Sequence, residues 1–331
     1  MTLLEEVSSF QNLYEAYHEC AKRKRSSMGF QKSRFNIGEG LVELSEQLRS
    51  NSYQWGPYRE FYVCDPKRRL IMAAPYMCRV VHHAIHRVIL PYLDVYLSDS
   101  VFACREGRGN RFASQLLFRR LKILGPQRYT LKLDISQYFP SINHAQLLKQ
   151  LEAHLPDDSL HHLLVSLLAS HPGYAQRGYG IPIGNLTSQL FANFYLRQVD
   201  QFACEGLSVP YHWLSEAELK ADAFYIRYMD DMILLADKKE KVCEVADRIV
   251  REITPELGLS IPMRKRMHIA SDPIPFLGYV MDHDSVRPLA RNARKIKQKI
   301  ARMERENQRP SLIAQVRNSY EAWIDLEEEG G

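Results

Sequence analysis

The chain has 331 residues, 45% of them hydrophobic and 25% charged, which excludes a disordered or fibrous protein and is long enough for one large domain or two or three subdomains. Lys and Arg number 44 against 39 Asp and Glu, so the net charge of +5 is by itself a weak pointer to a polyanionic partner. Six scattered cysteines without a Cys-x-x-Cys pair argue against a disulfide framework or a structural zinc and suit free thiols in a reducing compartment.

The start of the chain, Met1 to Glu6, is acidic, and no apolar run approaches a membrane span, so the expected location is cytoplasmic, with no membrane partner. Leu3, Val7, Phe10, Leu13, Tyr14 and Tyr17 recur at helical spacing and predict one amphipathic N-terminal helix, ended by Lys22-Arg23-Lys24-Arg25. A second helix is expected over residues 37–48. Residues 59–65 and 69–72 read as paired strands around a Pro66-Lys67-Arg68 turn, and residues 77–90 read as a helix stopped by Pro91. His82 and His86 have i,i+4 spacing with no further ligand nearby, which favours packing over metal.

Residues 130–135 form a short β-prone run that ends in an acid, Asp134, and helices are expected over 145–153 and 160–169. A loop rich in glycine follows through Gly173, Gly178 and Gly180. It leads into Ile181-Pro182-Ile183-Gly184-Asn185-Leu186-Thr187-Ser188-Gln189, where a helix is expected to begin near Thr187 or Ser188, whose hydroxyls suit capping. Gly184 would let the backbone approach a ligand with no Cβ in the way.

Tyr228-Met229-Asp230-Asp231 then stands between two apolar runs, which predicts a β-hairpin with both acids at its tight turn. Val242, Val245, Ile249 and Ile253 predict an amphipathic helix over 238–254, ended by Pro255 and Gly258. Residues 264–309 carry twelve Lys or Arg against five Asp or Glu, a concentration that reads as a footprint for a phosphate backbone. Within it, Ile296, Ile300 and Met303 share a helical face beside a basic stripe of Arg291, Lys295, Lys299 and Arg302, and a last helix is expected over 312–326.

Adjacent carboxylates between apolar strands are costly unless a cation sits among them. Taken alone, an Asp-Asp pair is more often a solvated turn. Two strands placed side by side, however, would gather Asp134, Asp230 and Asp231 into one cluster. Three acids on rigid strands suit Mg2+, which prefers carboxylate oxygen and keeps positions open for phosphate oxygens, as a two-metal phosphoryl-transfer site requires.

With Phe139 five residues after Asp134, Tyr228-Met229-Asp230-Asp231 resembles the signature of the reverse transcriptases, and the likeness runs from about residue 58 to 320. The resemblance implies an α+β fold, a right-hand polymerase with fingers (58–129), an antiparallel-sheet palm (130–283, with fingers-side helices near 143–180) and a small helical thumb (284–331), after an N-terminal helical extension (1–57). It implies Asp134, Asp230 and Asp231 as catalytic acids, with two Mg2+ ions, replaceable by Mn2+, held by Asp134, Ile135, Asp230 and Asp231. Lys265 stands where the family has a lysine that protonates the leaving pyrophosphate; Arg264 and Arg266 flank it, and which of the three points inward stays open. Lys67 and Arg69 would grip the incoming triphosphate, which needs fixed positive charge. Phe139 occupies the steric-gate position that excludes a 2′-hydroxyl, and Ile183, Gly184 and Gln189 border the nucleotide. Arg79, Arg105, Tyr228, Met229 and Gly278, the last within Phe276-Leu277-Gly278-Tyr279, fall along the template and primer path. The implied partners are an RNA template, a DNA or RNA primer and dNTPs.

Most reverse transcriptases read Gln-Gly-x-x-x-Ser-Pro where this chain reads Ile183-Gly184-Asn185-Leu186-Thr187-Ser188-Gln189. That form resembles the enzymes of diversity-generating retroelements, which are bacterial or phage proteins. They copy a template-repeat RNA with errors opposite adenine and work with a small helical-bundle accessory protein. A Gln beside the nucleotide both donates and accepts hydrogen bonds, whereas Ile183 only presses on it, so base discrimination should relax. Two alternatives stay open: a group II intron or retron-type enzyme of ordinary fidelity, and a non-catalytic RNA-binding scaffold, which should have lost one of the acids. No protease, RNase H or endonuclease segment is expected, leaving RNA removal and integration to partners.

Overall fold

Helices and antiparallel sheets alternate along the computed structural model, which describes residues 1–22, 28–64, 68–213, 215–219, 222–262, 266–269 and 272–324. The chain divides into two units. One comprises Met1–Leu97, Ile135–Gln198 and Ile253–Ser260; the other comprises Ser98–Asp134, Val199–Glu252 and Ile261–Gly331.

The first unit is built on the helix Tyr76–Asp94, whose Val80, Val81, Ala84, Ile85 and Ile89 are buried. The helices Phe10–Ala21 and Leu186–Tyr195 pack against it. This helix runs through Pro91 instead of stopping before it. Pro91 has no N–H to donate to the Arg87 carbonyl, so the helix forgoes that bond, and Leu93 beyond it is fully buried. The expected single N-terminal helix is two, Leu3–Val7 and Phe10–Ala21. Serines explain the break: the Ser8 hydroxyl bonds back to the Leu4 carbonyl at 2.7 Å, and Ser9 caps the second helix by accepting from the Asn12 amide at 3.2 Å.

Strands β1 (Arg59–Cys64) and β2 (Arg68–Ala73) form an antiparallel hairpin registered from Arg59 opposite Ala73 to Cys64 opposite Arg68. Strand β1 is exposed along its whole length. The Met72 amide donates to the Ile183 carbonyl at 3.1 Å, which ties this hairpin to the segment before the helix Leu186–Tyr195. Thr187 and Ser188 do not cap that helix as expected. Asn185 is its N-cap, without a side-chain cap bond, and the Thr187 hydroxyl is buried against His82 Nδ1 at 2.7 Å. A buried polar partner outcompeted the local cap. His82 is thus a packing residue, as its lone i,i+4 pairing implied, and burial with help from His83 pushes it down to about 3.

The second unit holds a four-stranded antiparallel sheet made of β3 (Tyr129–Asp134), β4 (Ala223–Tyr228), β5 (Asp231–Ala236) and β6 (Arg266–Ile269), in spatial order β4-β5-β3-β6. Phe224, Tyr225, Ile226 and the run from Met232 to Ala236 are fully buried, as strands covered on both faces should be. The helix Lys239–Arg248 packs on β3 and β5, and the helix Asn110–Leu124 packs on β4. The first of these ends in a π-helical turn at Ile249–Ile253, shorter as an α-helix than its apolar spacing predicts. A smaller sheet of β7 (Ile274–Phe276), β8 (Tyr279–Met281) and β9 (Val286–Pro288) follows, then the helices Ala290–Arg305 and Pro310–Ile324. Among the described residues no helix is long and apolar enough to cross a membrane, and all six cysteines are free thiols.

Candidate active site

The apolar runs on either side of the paired acids form β4 and β5, and their pairing of Tyr228 with Asp231 leaves only Met229 and Asp230 in the turn. Asp231 is therefore the first residue of β5, not a turn residue. A two-residue hairpin turn of this kind needs a positive φ, and Met229 supplies it at +54°. The neighbouring strand β3 pairs with β5 so that Asp134 stands directly opposite Asp231. Opposed residues on antiparallel strands lie roughly 4.5–5.5 Å apart at Cα. The three acids thus stand at one end of one sheet, inside one unit.

Asp134 is exposed, while Asp230 and Asp231 are half-buried. Lys132 shares the face of β3 with Asp134, two residues away, and reaches diagonally across to Asp231, its Nζ 2.7 Å from Oδ2. The same ammonium donates to the Pro275 carbonyl at 3.0 Å. The other oxygen of Asp231, Oδ1, is buried and has no hydrogen-bond partner. Burial pushes the Asp231 carboxyl up to about 6; the Lys132 charge pulls it down and the charges of Asp134 and Asp230 push it up.

An orphaned carboxylate oxygen beside two further carboxylates is an oxygen donor set of the kind a hard divalent cation takes. By donor type these residues suit Mg2+. Among the described residues, no three His, Cys, Asp or Glu side chains are already drawn together as a metal centre. Lys132 neutralises Asp231 instead.

The remaining residues singled out in the sequence fall in both units. Ile135, directly after β3, is buried. Phe139 is half-buried in the short helix Tyr138–Ser141, its carbonyl accepting from the Ile181 amide at 3.0 Å. Ile183 is half-buried and Gly184 exposed with φ at +120°, where a Cβ would come within 3.4 Å of Ile71 Cγ2. Gln189 is half-buried in the first turns of the following helix. Arg69 is exposed on β2 opposite Val63, and Arg79 lies over the Tyr76 ring with Nε buried and unpartnered.

Arg105 spends Nη1 on the carbonyls of Ser98 and Val101, at 2.8 and 3.2 Å. At Gly278, φ is +98° and the position a Cβ would take is crowded by Asn292 Nδ2 at 3.1 Å and Trp323 Cζ2 at 3.4 Å of the chain itself. Tyr228 and Met229 are half-buried at the hairpin. Lys67, Arg264 and Lys265 lie outside the described residues.

Two features escaped the sequence reading. One is Lys132, whose reach to Asp231 needs the strand register to be seen. The other is a fully buried ion pair of Arg227 with Asp200, joined by the Tyr225 hydroxyl. A charged residue inside the apolar run of β4 was the available signal, because such a charge demands a partner.

The profile of the family described as reverse transcriptase (RNA-dependent DNA polymerase) matches residues 65–281. A protein assigned to intron 1 of COX1/OXI3 in Saccharomyces cerevisiae is 21% identical, over 84% of this chain and 38% of that protein. The group II intron-encoded protein LtrA of Lactococcus lactis subsp. cremoris is 22% identical, over 50% of this chain and 28% of that protein. The chain thus spans well under half the length of either relative. Among solved structures, apo telomerase from Candida tropicalis superposes with a TM-score of 0.51 at 12% identity, covering 71% of this chain and 49% of that one, a likeness of fold.

Proposed function

This chain belongs to the reverse transcriptase (RNA-dependent DNA polymerase) family, and from that premise we propose that it extends a DNA or RNA primer on an RNA template by adding dNTPs. The observation that carries the proposal is the register of β3 on β5, which sets Asp134 opposite Asp231 beside the Asp230 turn.

In this reading the large sheet and its helices are the palm (130–283, with the helices near 143–180 on the fingers side), residues 58–129 the fingers, 284–331 the thumb and 1–57 an extension. Asp134, Asp230 and Asp231, with Ile135 beside them, would hold two Mg2+ ions, or Mn2+ in their place. When bound, the metal supplies Lewis-acid chemistry, lowering the pKa of the primer 3′-hydroxyl and neutralising charge on the pyrophosphate. The chain's own residues orient the reactants. Lys67 and Arg69 hold the triphosphate, Phe139 rejects a 2′-hydroxyl, and Lys265 delivers a proton to the leaving pyrophosphate. Arg79, Tyr228, Met229 and Gly278 line the template and primer path, while Arg105 props the loop it bonds to.

The finer reading is a polymerase of a diversity-generating retroelement, copying a template-repeat RNA with errors opposite adenine, aided by a small helical-bundle accessory protein. Its support is the Ile183-Gly184-x-x-x-Ser188-Gln189 form, in which the residue joined to β2 has an apolar side chain with no hydrogen bond to offer a base. A group II intron-type enzyme of ordinary fidelity is the second reading, favoured by the likeness to LtrA. Primer extension on RNA followed by sequencing of the cDNA tests both. Errors concentrated opposite template adenine, and falling roughly tenfold in Ile183→Gln, support the first; about 1.4 kcal/mol of restored discrimination gives that factor. An even, low error spectrum unchanged by Ile183→Gln supports the second, and no extension at all removes both.

A further inference from the structure

Strand β4 leads into the Met229-Asp230 turn with an arginine among apolar neighbours. Arg227 is fully buried, and its guanidinium donates through Nε to Asp200 Oδ1 and through Nη2 to Asp200 Oδ2, each at 2.6 Å. Its Nη1 donates to the Met229 carbonyl at 3.0 Å. Asp200, equally buried on the helix Arg197–Leu207, also accepts the Tyr225 hydroxyl at 2.8 Å. The Arg227 main chain is held too, its amide donating to the Ser100 carbonyl at 2.8 Å and its carbonyl accepting from the Phe102 amide at 3.0 Å.

Burying two charges costs desolvation that their attraction repays only with excellent geometry, so such a pair is poorly explained as a source of stability. A planar guanidinium with two donors fixed on one carboxylate has the direction of its third donor fixed as well. Here that direction is the carbonyl of the one residue in the turn with a left-handed φ, +54° at Met229. A non-glycine residue holds that conformation only when its surroundings impose it. Because the turn has only two residues, the conformation of Met229 decides where Asp230 and the start of β5 lie.

We propose that Arg227 and Asp200 are positioning residues for the acid cluster: the pair locks the Met229 turn, and thereby holds Asp230 and Asp231 against Asp134 in the arrangement that binds a divalent cation. This rests on the assignment of the three acids as the metal-binding set.

The test compares the full-length wild type with Arg227→Lys, with the apolar exchange Arg227→Met plus Asp200→Leu, and with Arg227→Lys plus Met229→Gly. Mn2+ binding is followed by electron paramagnetic resonance, thermal unfolding by circular dichroism, and kcat and KM for dNTP by primer extension. Lysine still pairs with Asp200 but lacks the third, fixed donor. The apolar exchange fills the core but leaves the Met229 carbonyl unheld. Both should fold, bind Mn2+ at least about tenfold more weakly and lose roughly a hundredfold in kcat, the usual consequence of displacing reacting groups by about an ångström, with KM for dNTP within about twofold. Adding Met229→Gly to Arg227→Lys should recover roughly tenfold, since glycine adopts the left-handed conformation without support.

An apolar exchange that fails to fold, or one that folds with wild-type Mn2+ affinity and kcat, overturns the proposal and leaves the pair a feature of the core. A wild type that binds no Mn2+, or whose binding survives Asp230→Ala, instead overturns the metal assignment, and the proposal with it.

Discussion

Two ion pairs flank the same hairpin and differ in every respect that matters. Arg227 and Asp200 are fully buried, with both carboxylate oxygens engaged. Lys132 and Asp231 keep side-chain exposures of 27% and 23%, and one carboxylate oxygen has no partner. The first pair is saturated and has nothing left to give a ligand. The second is incomplete, and its spare oxygen lies beside two more acids. A single hairpin is thus flanked by a saturated pair on one side and an unsaturated pair on the other. The proposed metal site belongs to the unsatisfied side.

The largest effect expected is on the unsatisfied side. Asp230→Ala should lower primer extension on the order of a thousandfold, since a metal ligand accounts for several kcal/mol of transition-state stabilisation; single-turnover rates measure it. On the saturated side, Asp200→Ala strands a buried guanidinium and should cost about 3–5 kcal/mol of stability in urea unfolding. An Asp200→Ala protein as stable as wild type would erase the distinction between the pairs.

A third expectation concerns buried polar groups without a charge partner. The His82 ring is held neutral by burial, down to about 3, while in the unfolded chain it titrates near 6.5. A base with a depressed folded pKa contributes stability that is present above the unfolded value and lost as the pH falls from about 6.5 towards 3. About 2 kcal/mol should disappear between pH 7 and pH 5 for this residue, and His82→Gln should flatten that part of the profile in urea unfolding.

Smaller changes are expected at the incomplete pair. In metal-free protein, Asp231→Asn relieves three crowded carboxylates and should raise stability by about 1 kcal/mol, while abolishing any gain on adding Mn2+. Lys132→Met should alter stability by less than about 1 kcal/mol and tighten Mn2+ binding roughly fivefold, because a competing cation has gone. Thermal unfolding with and without Mn2+ reads the stability changes, and calorimetric titration reads the Mn2+ affinity.

The paired acids, the hairpin that carries them and the strand ending in Asp134 were legible because apolar runs bounded by turn residues are local signals. The same holds for the helices Ile37–Arg49, His144–Glu152 and His161–Leu168. What the local pattern missed has two causes. Ser8 and Ser9 split an apolar period with side-chain bonds to the backbone, and Thr187 left its helix cap for His82, 105 residues away in sequence. Pro91 was tolerated because Leu93 beyond it is buried in the core. Arg227 announced a partner but not which one, and Asp200 is found only when the fold brings its helix to β4. The serine bonds are local, spanning three or four residues, whereas at Thr187, Pro91 and Arg227 a tertiary contact overrides or completes a local preference.

The central claim is that Asp134, Asp230 and Asp231 act as one metal-binding set in RNA-directed DNA synthesis. Extension of a primer on an RNA template by wild type and Asp134→Asn, across a Mg2+ titration with an EDTA control, tests it most directly. Extension is expected from the wild type only, rising with Mg2+ and absent in EDTA. Equal extension by Asp134→Asn, or extension that persists without divalent metal, would contradict it.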